Sequence, residues 1–160
     1  EKSILLLNSW SGQNSSTFEP ILRTKEYFKI ETIPAGTTGR IQLLDMFFFR
    51  PWKNFLRHFS DIIILYNYNI NLYLRNNIIK IQSLIHNQFS SPRFSNLISY
   101  AWYKIGYLEE KSPEFENPVK FYFKDCAAFC DLCTVIAVIK CAWCKKFLCI
   151  TYFFTEYHYC

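Results

Sequence analysis

None of the seven cysteines of this chain lies before residue 126, and four of them fall in two Cys-x-x-Cys steps, Cys130/Cys133 and Cys141/Cys144. A disulfide-stapled secreted chain usually spreads an even number of cysteines along its length, so an odd number crowded into one end points to metal. Each step can set two thiolates beside one ion, and two steps together supply the four sulfurs of a structural Zn²⁺ tetrahedron. The seven residues between the steps, apolar at 135–139, suit a hairpin strand between two knuckles. The expected primary site is therefore Cys130, Cys133, Cys141 and Cys144. Cys149, His158 and Cys160 follow as a second set of three ligands, with Cys126 or Tyr152 as candidates for the fourth position. The competing interpretation is a run of free thiols acting as small buried hydrophobes.

With 160 residues, the chain has room for one modest domain and a small appendage. It starts at Glu1 and enters an apolar run, Ile4-Leu5-Leu6-Leu7, at once, which gives the expectation of a piece of a longer protein. That run is too short for a signal peptide core, and no stretch approaches the roughly 20 apolar residues that span a bilayer, so no membrane partner is expected. A net charge of +5 favours an anionic partner only slightly, but Arg40, Arg50, Lys53 and Arg57 share a stretch whose one acid is Asp45. Lys140, Lys145 and Lys146 sit among the cysteines. The aromatic share of 19% predicts a bulky core rather than a set of base-stacking platforms.

The apolar run at 3–8 and the alternation at 28–33 predict strands, joined through a polar loop and a short helix over 20–27, as in a βαβ unit. A loop at 34–39 carries Gly36 and Gly39. Helical spacing follows, with Pro51 in a first turn or at a kink. Ile70, Leu74, Ile78, Ile81, Ile85 and Phe89 form one apolar stripe over a block, 61–107, expected to be all helical. A further helix is predicted to start at Ser91-Pro92 and stop at Gly106. The expected division is a domain over 1–107, a polar linker over 108–125 and a Cys/His-rich module over 126–160.

The segments Leu5-Leu6-Leu7-Asn8-Ser9-Trp10-Ser11-Gly12 and Ile33-Pro34-Ala35-Gly36-Thr37-Thr38-Gly39-Arg40-Ile41-Gln42-Leu43-Leu44-Asp45 together resemble DDE-type transposases of the mariner/pogo kind. In that family an aspartate closes a central strand in a Leu-Asp-Ser/Asn-x-x-Gly-His setting. An Ile-Pro-Pro/Ala-Gly-Thr-Thr-x-x-x-Gln-Pro-Leu-Asp segment then delivers the last acid. Phe49-Arg50-Pro51-Trp52-Lys53 resembles the helix that comes next. The resemblance covers residues 3–60 most closely and implies an α/β fold with an RNase H-like mixed sheet, here partial, followed by helices and the small zinc-binding C-terminal module. The tail also resembles Cys-rich modules found after the catalytic domain in transposase-derived proteins.

By that resemblance Asp45 is the last catalytic acid and Asn8 stands where the second belongs. A two-metal phosphodiester site needs carboxylates to hold hard cations such as Mg²⁺, and the neutral amide of Asn8 supplies no anionic ligand. Gln13 takes the place of the usual histidine, Leu43 that of a proline, and the first acid would lie upstream of Glu1. The family pattern therefore predicts a degenerate catalytic centre, with Mg²⁺ a cofactor only if that centre were intact. Arg50, Lys53 and Arg57, at i, i+3 and i+7 of one helix, are candidates for non-specific phosphate contacts to DNA. The leading expectation is a nuclear, transposase-derived DNA-binding protein without activity. An active metal-dependent nuclease completed by upstream sequence, and a zinc-dependent module that docks a protein partner, are the alternatives.

Overall fold

The computed structural model describes residues 3–11, 16, 28–124, 126, 129–158 and 160. The helix expected over 20–27 and the position of Gln13 lie outside the described residues. The chain divides into two compact units, Glu1–Phe47 and Phe48–Cys160.

In the first unit β1 (Ser3–Asn8) and β2 (Phe28–Ile33) pair in parallel, with Ser3 opposite Phe28 and Asn8 opposite Ile33. Parallel neighbours need a crossover of about a dozen residues or more, which the stretch between the strands supplies. Leu7 and Ile33 are the buried side chains of this pair. β2 ends in a tight turn, where the Thr37 N–H donates to the Pro34 carbonyl at 3.2 Å and Gly36 takes φ +78°. That backbone is the one a type II turn reserves for glycine. A short helix, α1 (Thr38–Ile41), and a π-helical turn, Leu44–Phe48, lead to the unit boundary.

The second unit begins with α2 (Phe49–Leu65), in which Pro51 occupies the first turn, where a missing N–H breaks no helical bond. Phe55, Phe59 and Ile63 recur every fourth residue and are its buried side chains. α2 stops earlier than a continuous helical block requires. The Tyr68 N–H returns to the Ile63 carbonyl at 3.0 Å across Asn67, which sits at φ +52°. Asparagine is among the few non-glycine residues that tolerate this left-handed cap. α3 (Arg75–Phe89) therefore starts after Leu74, so Ile70 and Leu74 belong to a non-helical connection and not to the stripe expected for them. A 3₁₀ turn, Pro92–Phe94, opens into α4 (Ser95–Lys104). Gly106, at φ +84°, ends α4 with the Tyr107 N–H bonded to the Trp102 carbonyl at 3.0 Å.

α5 (Pro118–Phe123) is capped by the Asn117 side chain, which accepts from the Val119 and Lys120 N–H groups. It carries Phe121 and the fully buried Tyr122 into a core shared with Phe55, Phe59, Phe89 and Phe94 from the helices and with Ile139, Leu148 and Phe153 from the tail. Residues on both sides of the stretch 108–125 share this core. The described fold is mixed α/β with two small two-stranded sheets. No helix among the described residues is long and apolar enough to cross a membrane.

Candidate metal centre

The tail is organised by a short antiparallel hairpin, β3 (Ile139–Lys140) and β4 (Phe147–Leu148), with Lys140 opposite Phe147. Its tip, residues 141–146, contains the second Cys-x-x-Cys step. There the Lys145 N–H donates to the Cys141 carbonyl at 3.0 Å and the Cys141 N–H to the Lys146 carbonyl at 2.9 Å. Lys145 pays for this reversal with φ +62°. The first step is knuckled in a different way: the Leu132 N–H donates to Cys130 Sγ at 3.4 Å and the Cys133 N–H to the Cys130 carbonyl at 3.3 Å.

Two further bonds tie this first knuckle to β4. The Asp131 N–H donates to the Phe147 carbonyl at 2.9 Å, and the Phe147 N–H donates to Asp131 Oδ2 at 2.7 Å. Cys149, just beyond β4, is thereby delivered to Cys130 and Cys133. The ligands interleave as a result. Among the described residues, Cys141, Cys144, His158 and Cys160 form one group and Cys130, Cys133 and Cys149 another, with the ligand atoms of each group within 4.8 Å of one another. The grouping differs from the one expected from spacing: the two Cys-x-x-Cys steps fall in different groups, and Cys149 lies with the first step rather than with His158 and Cys160.

The spacings suit a small tetrahedral ion. Cys141 Sγ and Cys160 Sγ are 3.6 Å apart, Cys133 Sγ and Cys149 Sγ 3.7 Å, and Cys144 Sγ and His158 Nε2 3.5 Å. A tetrahedron with Zn–S near 2.3 Å and Zn–N near 2.0–2.1 Å has S···S edges of about 3.8 Å and S···N edges of about 3.6 Å. Three sulfurs and one imidazole nitrogen are also a donor set that zinc favours. Each group could hold a metal ion, the first with four protein ligands and the second with three.

His158 is oriented for the task. Its Nδ1 lies 3.3 Å from the Tyr152 carbonyl, an acceptor, so that nitrogen carries the proton and Nε2 faces Cys144 with its lone pair. Tyr152 therefore acts through its backbone oxygen, and the ligand role considered for its side chain is unnecessary. Burial lowers the His158 pKa below its ordinary value, which keeps the ring neutral near pH 7.

The thiols respond to their surroundings in opposite directions. Burial raises the Cys130 pKa, but N–H groups of Leu132, Cys149 and Cys133 aimed at its sulfur outweigh burial and lower it overall. Cys160 is pushed up to about 12 by burial and then by the Cys141 and Cys144 sulfurs beside it. Thiols this close resist a second negative charge, and a dication removes that opposition. Cys126 stands apart from both groups, its Sγ–H donating to the Tyr122 carbonyl at 3.2 Å.

Of the residues singled out by family resemblance, Asn8 closes β1 opposite Ile33 and Asp45 is exposed in the π-helical turn Leu44–Phe48. Asp45 belongs to no metal-ligating group among the described residues. Arg50, Lys53 and Arg57 are exposed along α2. His58 lies in the middle of α2, its ring 5.2 Å from that of Phe123.

Residues 102–160 match the family model of the Tc5 transposase C-terminal domain, which supports a transposase-derived protein. No curated protein and no solved structure matches the chain. The matched segment contains all seven cysteines and His158.

Proposed function

We propose that the chain is a transposase-derived DNA-binding protein that does not cut its substrate, with a tail folded around two structural Zn²⁺ ions. The observation that carries this reading is the match of residues 102–160 to a transposase C-terminal domain. Bound zinc would supply a fixed tetrahedral cross-link and neutralise the crowded thiolates. Cys141, Cys144, His158 and Cys160 hold one ion. Cys130, Cys133 and Cys149 hold the other, whose fourth ligand comes from outside that group. The unit Glu1–Phe47 is read as the remnant of an RNase H-like DDE sheet, in which Asn8 cannot supply the anionic ligand that phosphoryl transfer needs. Exposed Arg50, Lys53 and Arg57 contact DNA phosphates without reading sequence.

The test combines two assays on the same preparation. The protein is expected to shift unrelated duplexes equally, with affinity falling steeply as salt rises. With Mg²⁺ or Mn²⁺ it is expected to leave supercoiled DNA intact. Nicking abolished by Asp45→Ala would overturn the inactive reading, and salt-insensitive binding would overturn the phosphate-contact reading.

A further inference from the structure

The four-ligand group is anchored to a helix that lies outside the matched segment. Gln88, in α3, is fully buried at 0% exposure, one of the two buried polar side chains among the described residues. Its Oε1 accepts the Ala142 N–H at 2.7 Å, and its Nε2 donates to Cys141 Sγ at 3.5 Å. The first bond fixes which end of the amide is which, because only the oxygen can accept from a backbone N–H. The NH₂ group is then committed to the sulfur. Around this contact, Ser91 Oγ donates to the Ala142 carbonyl at 3.1 Å and Trp143 Nε1 to the Asn87 carbonyl at 2.9 Å. The Tyr157 phenol also lies close enough to feel the Gln88 side chain.

We propose that Gln88 is a positioning residue for the metal centre: its amide holds the Cys141–Cys144 knuckle in ligating geometry and stabilises the Cys141 thiolate against loss of the ion. A buried amide beside a thiol could have been a packing accident, but this one uses both of its ends on the knuckle itself. Donors to ligand atoms orient the ligands and tune the metal, and removing one commonly lowers metal affinity about 10–100-fold. The inference rests on the metal-binding reading above. It extends that reading, since the tail's metal centre then depends on residue 88.

Co²⁺ and Zn²⁺ titrations of the full chain test it, in a Cys149→Ser background that isolates the four-ligand group. Gln88→Glu keeps the acceptor for Ala142 N–H and the side-chain volume but replaces the NH₂ donor. Gln88→Met removes both functions. Both variants are expected to weaken Co²⁺ binding about 10–100-fold and to move the thiolate-to-cobalt charge-transfer band, a signature that a packing defect does not produce. Affinity within twofold of the parent, with an unmoved band, would sink the proposal while leaving the metal reading intact. A parent protein that takes up no Co²⁺ would sink both. If neither variant folds, hydrogen exchange on the native chain decides: metal loading should protect the amides of residues 86–91, and no change there overturns the inference.

Discussion

His158 Nε2 stands 3.5 Å from Cys144 Sγ while the other nitrogen of the same ring is committed to the Tyr152 carbonyl. An imidazole so fixed offers one lone pair in one direction, and the sulfurs of Cys141 and Cys160 are close enough to share an ion with it. The first prediction follows from this geometry. Protein purified without added metal should carry about two zinc ions, and Cys141→Ser or His158→Ala should remove about one. Cys130→Ser should remove the other. Metal analysis by mass spectrometry reads the result; loss of both ions from every variant would mean a single shared site.

Metal uptake must also release protons, because thiols are protonated near neutral pH and only thiolates bind. Cys160, held up to about 12, is the most reluctant of them without a cation. His158, shifted down by burial, is already neutral and releases none at pH 7. The sign is thus set by sulfur: affinity rises with pH over the range 6–8, and each site, with its three thiols, releases up to about three protons on loading. Proton release in weakly buffered dye solution measures it. A pH-independent affinity would show that the thiols were not the ligands.

Much of the local structure was legible from residue type. The strand at 3–8 came from an apolar run, the strand at 28–33 from alternation, and the stop at Gly106 from a glycine at a helix end. Hydrophobic period alone could not show where α2 stops, because the cap depends on Asn67 accepting a left-handed backbone rather than on any break in apolar spacing. The Cys-x-x-Cys steps pointed to clusters that could hold metal but not to how the ligands divide between them. That was decided by Asp131, whose two hydrogen bonds to Phe147 carry Cys149 back to the first step. Asp131 is an ordinary exposed acid in the sequence, with no spacing to mark it. Gln88 was likewise invisible, a polar residue inside a helical stripe whose purpose depends on a loop more than fifty residues away.

Because helices and tail share one core, damage to either should be felt by both. Phe55 is fully buried, its ring 4.8 Å from Tyr122 and 6.2 Å from Phe153 of the tail. Phe55→Ala should cost about 3–5 kcal/mol and expose the tail to protease in the same transition that melts the helices. Separate melting of an intact metal-loaded tail would contradict the shared core.

Tyr122 gives a prediction of the opposite sign. Its hydroxyl is buried among aromatic rings and has no hydrogen-bond partner among the described residues, and burial raises its pKa strongly. An unpaired buried hydroxyl costs free energy that phenylalanine avoids, so Tyr122→Phe should stabilise the protein by about 1 kcal/mol. Denaturant unfolding of the metal-loaded protein measures it. A clear loss of stability would reveal a partner for that oxygen.

The last prediction concerns the exposed face of α2. At about 100° per residue, Lys53 and Arg57 fall within roughly 60° of Arg50, whereas Phe55, Phe59 and Ile63 centre on the opposite side of the helix. Burial of those three apolar residues therefore fixes the three cations outward. None of the three forms an ion pair among the described residues, so each can neutralise a phosphate without first breaking a contact. Every phosphate neutralised on duplex DNA contributes about 0.9 to the slope of log affinity against log salt. Reversing all three, Arg50→Glu, Lys53→Glu and Arg57→Glu, should lower that slope by about three and weaken binding equally on unrelated sequences. Because the three side chains are exposed, unfolding of the variant should match the parent within about 0.5 kcal/mol per site. Fluorescence anisotropy across a salt series reads the slope, and an unchanged slope in a folded triple variant would move the DNA-binding face away from α2.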